Sequence, residues 1–232
     1  MKKLAIKYSL EIIVIILGIS ISFYMEKQNA LSYKEDLKNQ SLRRVLKNIE
    51  VDQNDFKFNK KANQQAIHSG RWLYQRKDSL ENYSKDSIGY HLTMAIFCNT
   101  IFVDNQEEYR GLQNSGLIEL IDNESVVTAL QKKYIYHDFC KQIEGMIDLR
   151  ANAILDFLHT NTKYNSNQVN ALGYQIDRTY TGNLKIPQKI IQQIQDKLYL
   201  HHYYKGRILR GIKTDESLVK QINDEIGATK KS

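Results

Sequence analysis

The chain has 232 residues, with 33 Lys and Arg against 26 Asp and Glu, a formal charge of +7, 42% apolar residues, one Pro and two Cys. That length and apolar fraction suffice for a buried core and exclude wholesale disorder. Two cysteines exclude a disulfide scaffold and a four-thiolate zinc site, and a single Pro speaks against a Pro-punctuated β-sandwich, so the composition favours helices.

The strongest local signal is N-terminal. Residues 12–25 carry no charge, roughly 21 Å of helix at ~1.5 Å per residue against ~30 Å of bilayer hydrocarbon. Extension back to Leu4 gives a span over residues 4–25. It takes in Lys7 and Glu11, four apart on one helix face, and sets Tyr8 and Tyr24 near the two interfaces. The expectation is a retained anchor that meets the lipid bilayer through residues 4–25. A cleaved signal peptide, with Ser20-Ile21-Ser22 near its cut, and a buried core helix are the alternatives. Against cleavage, the apolar run continues through Phe23-Tyr24-Met25. Against a core helix, it is apolar on every side for four turns. Lys2, Lys3 and Lys7 outweigh Lys27 and Lys34, which have Glu26 and Glu35 beside them, so the positive-inside rule places the N-terminus in the cytoplasm and the main domain outside.

Neither Gly nor Pro occurs between Gly18 and Gly70, and Leu42, Val45, Leu46, Ile49 and Phe56 recur at helical steps. The pattern predicts a long amphipathic helix continuous with the anchor. Shorter helices are expected over residues 67–80 and 88–102. Residues 107–115 read as a helix closed by Gly116 in a left-handed cap, followed by a short apolar connector and a cap at Asp122 or Asn123. The next helix keeps its apolar spacing from Leu130 to about His159. Residues 160–186 shift to Asn, Thr, Gly and Tyr and read as an irregular connection. Pro187 then opens a final helical region toward Ile208, with Thr214 or Asp215 restarting or continuing it to Ile226. The expected fold is all-α: an anchor over residues 1–25, a helical bundle over 26–226 with one long crossover connection, and a disordered tail over 227–232.

The Lys7-Tyr8 pair followed by Glu11 and an Ile/Val-rich span containing Gly18, then Leu112-x-x-Ser115-Gly116-Leu117-x-x-Leu120-Ile121 and a helix with Leu130 and Tyr134, resemble a family of uncharacterised bacterial single-span membrane proteins. The resemblance covers about a third of the chain. It implies an N-terminal anchor with a helical domain and supplies no catalytic residues.

No Walker loop, dinucleotide fingerprint, His-Glu-x-x-His, Gly-x-Ser-x-Gly or Cys-x-x-Cys is present. His137, Cys140 and Glu144 share a helical face, but a core His and Cys explain them more simply than a metal site. Cys98 and Cys140 read as buried thiols, with a single disulfide as the alternative in an exported domain. Lys205, Arg207, Arg210 and Lys213 concentrate positive charge within nine acid-free residues. That is too narrow a face for nucleic acid; a solvated face is the plainer reading and contact with an anionic surface the sharper one. The sequence therefore predicts a membrane-anchored helical partner-binding or sensory module without catalysis, cofactor or metal, engaging a protein partner or a second copy of itself. The competing reading is an enzyme or metal protein whose site draws on distant residues such as His91, His137 and Glu144.

Overall fold

The computed structural model describes residues 2–165 and 178–228, and the side chains of residues 2–7 and 9 lie outside that description. The Lys2, Lys3 and Lys7 flank, the Lys7–Glu11 pairing, residues 166–177 of the irregular connection and residues 229–232 of the tail therefore fall outside the described residues. Within them the fold is all-α, with five α-helices and one short β-ribbon.

Helix α1 spans Lys2–Arg76 in one piece, seventy-five residues long. The separate helix expected over 67–80 is its last part, because Gly70 seats against Leu198 and Ile194 and packing carries the helix past the glycine. Arg76 closes it by accepting the Ser79 N–H at 2.9 Å. Helix α2, Lys85–Phe97, starts at Ser84, whose hydroxyl accepts from the Ser87 N–H. It stops short of the expected residue 102 because Phe102 turns inward and stacks on Phe56, ring centroids 4.1 Å apart. Helix α3, Glu107–Asn114, ends at Gly116, which adopts φ 71° as the cap requires. The apolar connector is a 3-10 turn over Leu117–Leu120. Asn123 caps α4, Glu124–Asn161. Strands β1, Thr162–Tyr164, and β2, Arg178–Tyr180, pair antiparallel with Lys163 opposite Thr179. Helix α5, Gln188–Ala228, follows Pro187 and continues unbroken through Gly227 and Ala228, so these two residues of the expected tail are helical.

The helices alternate in direction. Along α5, Glu225, His201 and Leu198 meet Lys38, Asn63 and Gly70 of α1, and Asp215 and Tyr204 meet Lys133 and Glu144 of α4. Helix α2 also runs against α1, with Cys98 at Ala62 and Tyr90 at Gln65. The result is an up-down-up-down bundle whose second position is shared by α2 and α3. The expected long crossover is thereby corrected. A crossover joins parallel neighbours, whereas α4 and α5 are antiparallel and the β-ribbon turns the chain back on itself. Gly89 of α2 makes room for that ribbon, since a Cβ there would lie 1.9 Å from the Arg178 carbonyl oxygen.

The core is stacked in apolar layers. One end holds Leu42, Ile49, Leu112, Leu130 and Ile222, the middle Phe56, Phe102, Ile143 and Tyr204, and the far end Leu73, Ile88, Leu92, Ile154 and Ile191. Residues 10–34 of α1 are exposed and project from the first end. Glu11 and the Glu26-Lys27 pair bound the apolar run, and among the described residues no helix is long and apolar enough to cross a membrane. The 4–25 span reaches back into side chains outside the description.

Candidate functional site

Between the apolar layers the bundle buries ions. Lys133 of α4 lies 2.9 Å from Asp52 of α1 and 3.0 Å from Asp215 of α5. Its Nζ is also 3.1 Å from Nε2 of His137, one turn on. The ammonium donates to both oxygens of Asp215 and meets Asp52 as an ion pair; since it can only donate, Nε2 of His137 must accept. The His137 proton is then on Nδ1 and donates to Asp104 at 3.0 Å. Burial raises the Asp104 carboxyl, but hydrogen bonds from His137, Lys141 and Gln106 outweigh it and hold the group below the ordinary carboxylate range. Burial also raises Asp215, against the pull of Lys133. The backbone N–H of Asn105 closes the cluster on Asp52. Helices α1, α4, α5 and the 98–106 segment are thus tied at one level.

Two further buried groups lack a counter-ion at ion-pair distance among the described residues. Both oxygens of Glu144 sit 2.9 Å from the Phe102 N–H, and the Tyr204 hydroxyl donates to one of them at 2.7 Å. Burial outweighs these bonds and raises its carboxyl to about 7. Lys197, 1% exposed, donates to the Ala95 carbonyl and to Nε2 of His201, both at 2.9 Å. His201 in turn has Asn63 at 2.6 Å from Nδ1. Burial lowers the Lys197 ammonium to about 7 and pushes His201 well down. At the end of the bundle from which the exposed part of α1 projects, Glu225 accepts from Lys38 and from the backbone of Asp122 and Asn123, at the start of α4.

The residues of the competing enzymatic reading are not brought together. His91 stacks on Trp72 at 4.1 Å and meets Ser69, His137 belongs to the Lys133 cluster, and the Phe102 segment separates it from Glu144. No group of His, Cys, Asp and Glu among the described residues is disposed to hold a metal ion. Cys98 and Cys140 are free and buried, and burial pushes their thiols up to about 11 and 12.

The basic run of α5 is dispersed rather than gathered. Arg207 lies over the Tyr203 ring and its carbonyl accepts from Tyr136. Arg210 lines a cleft against α4. Lys205 sits on the side of His202 and Arg71, and Lys213 is exposed. Asp52, Asp104, Lys133, Lys197 and Asp215 belong to no sequence motif. A signal was present: Lys133 and His137, like Lys197 and His201, are four apart and fall on apolar stripes, where solvated ions are out of place.

No protein-family model, curated protein or solved structure matches the chain.

Proposed function

We propose that the chain is a single-span membrane protein whose N-terminus is cytoplasmic and whose bundle, outside, serves as a non-catalytic partner-binding or sensory module. The observation that carries this reading is the exposure of every residue from 12 to 25, on all sides of a helix that continues without a break into the bundle. Burial of each large apolar side chain is worth roughly 1.5–3 kcal/mol, so a run from Ile12 to Met25 left in water forgoes a large stabilisation. Apolarity around the whole circumference suits lipid, which covers a helix from every side, better than a protein partner, which covers one stripe. Ser20 and Ser22 return their hydroxyls to the Ile16 and Gly18 carbonyls, which satisfies them without water. The Lys2, Lys3 and Lys7 flank supports the orientation.

Continuity of α1 gives the module its mechanical character. The same helix that leaves the bilayer supplies Lys38, Asp52 and Asn63 to the buried clusters, so displacement of the bundle and displacement of the anchor are coupled. Gly211 backs onto Phe56, about thirty residues along α1 from Met25, or roughly 45 Å at ~1.5 Å per residue. With α1 upright, Arg207, Arg210 and their neighbours stand several Debye lengths of ~8–10 Å from the headgroups, which argues for a solvated or protein-facing role and against lipid contact. Protease added to intact spheroplasts tests the topology: digestion of the chain beyond about residue 30 is expected, and protection until lysis would reverse it.

A further inference from the structure

The outer face of α4 carries large apolar side chains that the described fold leaves uncovered. Ile135 is 71% exposed, Met146 47% and Leu149 65%, with Phe139 beside them. Their steps of four, seven and three residues follow the seam of a coiled coil, with Gln142 at the remaining position. The seam is roughly 21 Å long at ~1.5 Å per residue. Clefts of about 450 and 290 Å³ open along it toward α5, the larger rimmed by Lys132 and Arg210.

Charge flanks this seam asymmetrically. At ~100° per residue, Asp138 and Asp156 fall about 60° to one side of Ile135 and Lys132 and Arg150 about 60° to the other. The basic side is that of α5, which adds Arg207 and Arg210. Asp138 has Lys141 at 3.9 Å, the one ion pair it makes among the described residues. Asp138 also stands level with the arginines: Tyr136 donates to the Arg207 carbonyl at 2.7 Å, and Phe139 meets Tyr203 edge-on.

We propose that this face is the contact between two copies of the chain, packed parallel about a two-fold axis along the bundle, with Asp138 of each copy against Arg207 and Arg210 of the other. Two-fold symmetry with parallel helices sets opposite flanks together at equal height, so acid meets base twice. Antiparallel packing sets like flanks together and opposes acid to acid. A shared bilayer holds two copies in the parallel arrangement and raises their effective concentration; that part rests on the anchor proposed above, while the charge pattern selects the same orientation independently.

The test uses the full chain in membrane vesicles. Ile135→Cys and Leu149→Cys variants, oxidised with copper-phenanthroline, should each give a 135–135 or 149–149 cross-linked dimer. A 135–149 cross-link in a mixture of the two would overturn the parallel packing. Asp138→Arg alone, and Arg207→Glu with Arg210→Glu, should each weaken dimerisation about tenfold or more, and all three together should restore it to within about threefold. Helical content by circular dichroism confirms that each variant is folded. Unchanged dimerisation in the charge reversals, a monomer throughout, or no rescue by the combined variant would overturn the proposal. A monomer that resists alkaline extraction from the membrane sinks the dimer and leaves the anchor standing; a cross-linked dimer that is extracted does the reverse.

Discussion

Lys197 donates to His201 one turn later on α5, and Lys133 repeats the step to His137 on α4. The two lysines differ in what else they meet. Lys133 is held between Asp52 and Asp215, whereas Lys197 has the Ala95 carbonyl. Removal of Lys133 leaves two buried carboxylates facing each other, a change of the kind that costs about 3–5 kcal/mol. Removal of Lys197 forfeits two hydrogen bonds and relieves the burial of an amine. Lys133→Met is therefore expected to lower the urea midpoint of unfolding far more than Lys197→Met at pH 7. Equal losses would show that the Asp52–Lys133–Asp215 bridge contributes nothing specific.

Glu144 and Lys197 impose opposite pH dependences. The folded chain keeps the Glu144 proton up to about 7, where an ordinary glutamate releases it near 4.5. Stability from this group is complete below about pH 4.5 and is lost as pH rises through about 7. Lys197 is depressed from 10.5 to about 7, so its contribution is complete above about pH 10.5 and is lost as pH falls to about 7. Each limb is worth on the order of a few kcal/mol. Denaturant midpoints measured against pH should fall between 4.5 and 7 and recover between about 7 and 9, above which the raised Cys98 and Cys140 thiols act in the opposite sense. Glu144→Gln should flatten the first limb and Lys197→Met the second; a variant that leaves its limb intact assigns the titration elsewhere.

Two glycines are fixed for different reasons. Gly116 has a positive φ with open space around its Cβ position. Gly116→Val should cost about 1–2 kcal/mol through backbone strain, and Gly116→Asn less. Gly89 is helical but touches the Arg178 carbonyl, so even Gly89→Ala must displace β2 from α2. The melting temperature should drop more for Gly89→Ala than for Gly116→Val, and Gly227→Val at the end of α5 should scarcely change it.

The helices were legible because their signals are local. Gly116, Asn123 and Pro187 mark boundaries through backbone chemistry that tertiary contacts do not alter. The end of α2 was not, since nothing near Phe97 foretells that Phe102 will stack on Phe56, forty-six residues earlier. The topology was missed for a similar reason: a long connection between residues 160 and 186 suits a crossover or a hairpin, and only the facing of Glu144 with Tyr204 and of Lys133 with Asp215 decides. The buried ions escaped because a charged residue reads as solvated until its partner is known. Asp52, Lys133 and Asp215 lie far apart in sequence and acquire meaning as a set.

The proposed bilayer span over residues 4–25 is continuous with the bundle through α1. Alkaline carbonate extraction of membranes that contain the full chain tests it most directly, since it strips peripheral proteins and leaves spanning ones. The chain is expected in the membrane pellet, resistant to carbonate and released by detergent. Quantitative release into the carbonate supernatant would contradict the anchor.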